Sequence, residues 1–178
     1  MLKKATILSS KTVYFGKWVE IRKDIIKKPD GTEATHEIAK RKDCVLILAI
    51  KNRELLLIKQ YRYPADEILW ELPTGFINKG EDPLGAAVRE LEEESGLKST
   101  KTDLIGSFWT WPGFSTQKTY VFLAHDLVKG TKKLDKTESD LQSKFVSYKN
   151  LAKLVEKGVI KSSTSLAALN IFNQKLQS

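Results

Sequence analysis

A chain of 178 residues, 41% hydrophobic and 29% charged, is long enough to bury a sizeable core in one domain with a small appendage, and it lacks the composition of a disordered protein. Its single cysteine excludes a disulfide framework and a cysteine-built zinc site. Its longest near-apolar run, Cys44 to Ile50, is too short to span a bilayer. The formal charge of +8, from 30 Lys+Arg against 22 Asp+Glu, is scattered and forms no basic block. That pattern fits a solvated surface or attraction of a phosphate-bearing small molecule, and makes nucleic acid an unlikely partner. The opening MLKKATILSS has lysines but no apolar core, so no secretory leader is read from it, and a reducing, cytoplasmic location with no membrane partner is expected.

In chain order, Thr12 to Phe15 and Trp18 to Ile26 read as strands with Gly16 between them. Pro29-Asp30-Gly31 is a turn, and Glu33 to Ala39 returns as a strand of mixed polarity. The charged stretch Lys40-Arg41-Lys42-Asp43 marks a boundary. Residues 1–42 are therefore expected to form a small antiparallel β subdomain, and residues 43–178 the main domain. Val45 to Ile50 and Leu55 to Ile58 flank a turn at Lys51-Asn52-Arg53, and their unbroken apolar character predicts a hairpin buried on both faces. Further strands are expected at Leu104–Thr110, Tyr120–His125 and Phe145–Ser147, and helices at Pro83–Ser95, Asn150–Lys157 and Thr164–Leu176. Such a mixture predicts an α/β (α+β) fold, a mixed sheet with helices on its faces. Asp82 suits the N-cap of the first helix, Pro83 its first position and Gly96 its end. His36 and His125 have no ligand partners at metal spacing and read as structural, and Cys44 reads as a core thiol.

The chemistry concentrates in EDPLGAAVRELEEESGL, residues 81–97. On a helix Glu90, Glu93 and Glu94 stand at i, i+3 and i+4 and share one face, while Leu84, Val88 and Leu91 are expected to meet the sheet. Like charges at these spacings repel by about 0.2–0.5 kcal/mol per pair, and the C-terminal half of a helix disfavours anions. Arg89 is expected to offset part of this by pairing with Glu93. A cation seated among the carboxylates accounts for the remainder, and carboxylate oxygens suit hard ions such as Mg²⁺ or Mn²⁺. Leu72 to Gly80 reads as a loop whose glycines permit close approach and whose carbonyls can complete an oxygen shell.

Gly75, Glu81, Arg89-Glu90-Leu91, Glu93-Glu94 and Gly96-Leu97 stand at the spacing of the Nudix box, so the chain resembles the Nudix hydrolase family. The resemblance implies a Nudix-type α/β/α sandwich and hydrolysis of a nucleoside diphosphate linked to another group. It implies that Glu90, Glu93 and Glu94 bind Mg²⁺, with Mn²⁺ a substitute, and that the Thr74 carbonyl adds a ligand. Arg89 would orient the glutamates, and Glu81 would support the metal site through waters or a second ion.

Lys59 to Pro64, Trp70 to Gly75 and Pro112, fifteen residues after Leu97, resemble the ADP-ribose pyrophosphatase branch. That likeness implies cleavage of ADP-ribose to AMP and ribose 5-phosphate. The alternatives are another nucleoside diphosphate sugar or dinucleotide, an RNA 5′-pyrophosphohydrolase, or a nucleotide-sensing module without catalysis. Arg62, with a fork suited to phosphate, and Glu71, Pro112 and Gly113 are the substrate-contact candidates. Glu138, in the polar stretch Lys129 to Ser143, is the candidate base, with Asp135 and Asp140 as competitors. The branch commonly has an acidic residue soon after proline-glycine-phenylalanine, where this chain has Ser115-Thr116-Gln117. The apolar strand pair Val13-Tyr14-Phe15 and Trp18 to Ile21 lacks an evident core of its own. The branch uses such an extension to exchange between subunits, which implies a homodimer.

Overall fold

Val45 to Ala49 are wholly removed from solvent, and the sheet is built outward from them. In the computed structural model, which describes residues 3–134 and 140–177, they belong to β4, Cys44–Lys51. Strands β1 to β3 precede it in the chain: Thr6–Phe15, Glu20–Lys27 and Glu33–Lys40. β5, Glu54–Arg62, follows β4 through a two-residue turn. Both turn residues, Asn52 and Arg53, have positive φ of 51° and 63°, the conformation whose twist matches an antiparallel hairpin. β4 runs parallel to β9, Lys118–Lys129, and antiparallel to β7, Thr74–Phe76. β5 pairs antiparallel with β6, Glu67–Glu71, and with β10, Gln142–Ser147. β8, Leu97–Trp109, closes the far edge beyond β9.

Alternation along β4 and β5 divides the core into two layers. Leu46, Leu48, Leu55 and Leu57 join Leu169 and Phe172 of α3, Ser163–Gln177, and Leu151 of α2, Tyr148–Glu156. Val45, Ile47, Ala49 and Leu56 join Ala86, Ala87 and Leu91 of α1, Pro83–Ser95. Both faces of the hairpin are thus covered by helices, as the unbroken apolar runs require. Among the described residues no helix is long and apolar enough to cross a membrane.

The chain divides into two compact units. One comprises residues up to Asp43 with Trp109–Lys118; the other is Cys44–Phe108 with the chain from Thr119. In the first, β1, β2 and β3 form an antiparallel sheet in that order. Its buried carboxylate, Asp24, accepts hydrogen bonds from Ser10 Oγ at 2.7 Å and Arg22 Nη2 at 2.8 Å. The segment after Trp109 is tied to β3, with Ala39 N donating to Phe114 O at 2.9 Å and Thr116 N to Ala39 O at 3.1 Å. Gln117, 4% exposed, donates through Nε2 to Lys42 O at 2.7 Å. Ser115 is buried beside it and accepts from Gln117 N through Oγ at 3.1 Å.

Several elements depart from the sequence expectation. β1 begins at Thr6, where pairing with β2 extends the strand through Ile7 and Leu8, both exposed, to the polar Ser9 and Ser10. Trp18 precedes β2 and is 57% exposed. β8 begins at Leu97, since its early residues lie on an edge strand and alternate without a continuous apolar run. β7 takes three residues of the expected loop Leu72 to Gly80, and β6, Glu67–Glu71, stands where no element is expected; both are short strands. Leu84 faces solvent at 46% exposure, and small Ala86 and Ala87 take its place in the core beside Leu91. Close approach of α1 to the sheet favours alanines there.

Candidate active site

The site is assembled where α1 crosses β7. Helix α1 starts at its Asp82 N-cap, whose side chain accepts from Gly85 N at 2.7 Å, and ends at Gly96 with φ 73°. Its buried residues include a carboxylate: Glu94 is 1% exposed and accepts from Thr74 N on β7 at 3.1 Å. Thr74 is itself fixed by donating from Oγ1 to Val45 O at 2.8 Å. The preceding residues are held by α3 and by β4. Leu72 N donates to Ser165 Oγ of α3 at 3.1 Å, and Ile47 N donates to Pro73 O at 2.9 Å.

Arg89 holds the rest. Its Nε and Nη2 donate to the two oxygens of Glu81 at 2.7 and 3.0 Å. Its Nη1 donates to Glu90 Oε1 at 2.7 Å and to Glu93 Oε2 at 2.9 Å, and Nη2 also donates to the Phe76 carbonyl at 3.0 Å. The expected pairing with Glu93 is present, and Glu81 and Glu90 join it. Each partly buried, charge-assisted bond contributes about 1.5–3 kcal/mol, against about 0.2–0.5 kcal/mol for each like-charge pair along the helix. The guanidinium therefore outweighs the repulsion by itself. Glu81, which Asn78 N also bonds at 2.9 Å, has its carboxyl held below the usual range, first by Arg89. The Arg89 pKa rises further above its high ordinary value, chiefly through Glu81.

Gly75 explains its own identity. A Cβ there would stand 1.9–2.3 Å from the Glu90 carboxylate, so the glutamate lies directly against bare backbone. The close approach that the glycine permits is made by the protein's own carboxylate.

Arg62, ending β5, donates from Nε to Glu71 Oε2 at 2.6 Å. Two substrate-contact candidates are thus partners of each other, with Glu71 6% exposed. Pro112 and Gly113 lie in the first unit, in the turn closed by Phe114 N and Ser115 N donating to Trp111 O at 2.9 and 2.8 Å. Glu138 and Asp135 lie outside the described residues. Sequence reasoning missed Ser165 and Glu92. Ser165 follows Ser162, Ser163 and Thr164, so nothing local singles it out, whereas Glu92 was visible as a fourth glutamate on the helix.

Among the described residues no three His, Cys, Asp or Glu side chains stand where they would hold one metal ion, because Glu81, Glu90 and Glu93 converge on Arg89. The donor set still fits a hard divalent cation. It consists of oxygen atoms on one helical face, with buried Glu94 and the β7 backbone beside it. The guanidinium takes one oxygen each of Glu90 and Glu93.

This fold and this constellation are those of a known class: the chain belongs to the Nudix family of hydrolases, and residues 40–168 match the NUDIX domain. Residues 6–39 match the nucleoside diphosphate sugar hydrolase N-terminal domain. The chain is 30% identical to an ADP-ribose pyrophosphatase of Bacillus subtilis, covering 94% of this chain and 92% of that protein. It is 32% identical to an ADP-ribose pyrophosphatase of Mycobacterium tuberculosis, covering 91% and 80%. A solved structure titled as an ADP compounds hydrolase has the same fold, with a TM-score of 0.90 at 23% identity over 99% of this chain and 96% of that one. The protein is a Nudix pyrophosphohydrolase, and such enzymes generally need a divalent metal.

The Arg89–Glu81 pair sets a pH dependence. A carboxyl whose native pKa is lowered contributes stability that is complete above its ordinary value of about 4.5 and is lost as pH falls through the lowered native value. Urea unfolding of wild type and Glu81→Gln is expected to show the wild-type advantage constant above that value and shrinking below it. A difference unchanged down to pH of about 3 contradicts the pairing.

Proposed function

We propose that the protein hydrolyses the pyrophosphate of ADP-ribose, giving AMP and ribose 5-phosphate. The observation that carries this is the placing of Glu90, Glu93 and Glu94 on one helix against β7, in a chain whose relatives over most of its length are named ADP-ribose pyrophosphatase. Glu90, Glu93 and Glu94 would hold Mg²⁺, or Mn²⁺ in its place, with the Thr74 carbonyl. The ion supplies charge neutralisation at the diphosphate and a more acidic water. Arg89 and Glu81 keep the glutamates in register, which the hydrogen bonds they share support.

Arg62 is the phosphate or ribose contact. Its guanidinium is half-buried and aligned by Glu71, so it is pre-ordered for an anion at little further entropic cost. Pro112 and Gly113 form a further substrate contact, and Glu138 takes the proton from the attacking water. The active form is a homodimer in the cytoplasm. Supporting the dimer, every residue of β1 is exposed, and Phe15 and Trp18 are 81% and 57% exposed, an apolar surface that a second copy would cover.

Incubation with Mg²⁺ and ADP-ribose, ADP-glucose, GDP-mannose, diadenosine tetraphosphate, NADH or 5′-triphosphorylated RNA is expected to show ADP-ribose turned over fastest, with AMP and ribose 5-phosphate as products. Equal or faster turnover of another substrate rejects the assignment. Sedimentation at micromolar concentration is expected to give twice the 20.2 kDa chain mass; a monomer alone removes the dimer.

A further inference from the structure

The last turn of α1 carries Glu93 and Glu94, and it is held from outside the helix. Residues 130–133, leaving β9, lie along its end. Gly130 N donates to Gly96 O at 2.8 Å and Lys133 N to Glu93 O at 2.9 Å. These bonds satisfy carbonyls that a helix end leaves unpaired. A side chain reinforces them. Glu92 Oε1 accepts from Thr131 N at 3.0 Å and pairs with Lys98 Nζ at 3.2 Å. Contact is close: a Cβ on Gly130 would stand 2.9 Å from that same oxygen and 3.0 Å from Lys98 Cγ. Beyond it, Lys132 Nζ donates to Leu141 O at 3.1 Å. The Arg89 bonds go to Glu81, Glu90 and Glu93, whereas the Glu92 carboxylate is directed to Thr131 and Lys98.

We infer that Glu92 is a positioning residue: its carboxylate fastens residues 130–133 to the end of α1 and so fixes the turn bearing Glu93 and Glu94. The inference rests on the reading that those two glutamates hold the metal. Its feature is the Oε1 acceptor, which glutamine retains and alanine does not; the ion pair with Lys98 is secondary, since that lysine is half exposed.

The test combines steady-state hydrolysis of ADP-ribose with amide hydrogen exchange in Glu92→Ala, Glu92→Gln and Lys98→Ala. Glu92→Ala is expected to lower kcat about tenfold or more with KM changed less than about threefold, and to speed exchange at Thr131 and Lys133. Glu92→Gln is expected to recover both, and Lys98→Ala to leave both near wild type. Wild-type kcat in Glu92→Ala, no recovery in Glu92→Gln, or an equal loss in Lys98→Ala overturns the inference. Glu93→Gln and Glu94→Gln serve as controls. If both remain active the metal reading fails, whereas slow exchange at Thr131 dependent on Glu92 still reports the tether.

Discussion

One guanidinium organises the centre of this enzyme. Arg89 donates to Glu81, Glu90 and Glu93 and to the Phe76 carbonyl, so helix α1, the residues before it and strand β7 are bound through a single side chain. A lysine at the same place would supply the charge but not the planar fork that reaches several acceptors at fixed angles. The carboxylates are gathered before any ligand arrives, and a site formed in advance loses less entropy when it binds.

That centre needs a rigid base, which β4 provides. Its residues are covered on both faces, so β7 on one edge and β9 on the other are held by hydrogen bonds sheltered from water. Thr74 shows how the layers meet. Its hydroxyl bonds the β4 backbone, and its amide bonds buried Glu94. A buried carboxylate without such a partner would be costly; here it locks helix to sheet. Ser165 of α3, reaching Leu72 N from the opposite face, extends the same support across the sheet.

Much of this was legible in the residues. The first helix runs over Pro83–Ser95 as its cap, proline and terminal glycine predict, and the β4–β5 hairpin is buried on both faces as its apolar runs require. The Nudix spacing identified the family because it records a three-dimensional constellation in one short segment. The remainder depended on partners distant in sequence. β1, β6 and β7 owe their conformation to pairing, and neither the Arg62–Glu71 pair nor the Ser165 contact has a local signal. Repulsion among the glutamates was read as the sign of a bound ion, yet the cation that answers it here is Arg89, since a guanidinium eight residues from Glu81 can meet three carboxylates only once helix and loop are folded together.

The most direct test is turnover of ADP-ribose by Arg89→Lys, measured beside its cooperative unfolding. Preservation of charge without the fork is expected to lower kcat by about 100-fold, the scale of a misplaced catalytic group, in a protein that still unfolds as one unit. Turnover within a few-fold of wild type would contradict the account, because the glutamates would then be placed without the guanidinium.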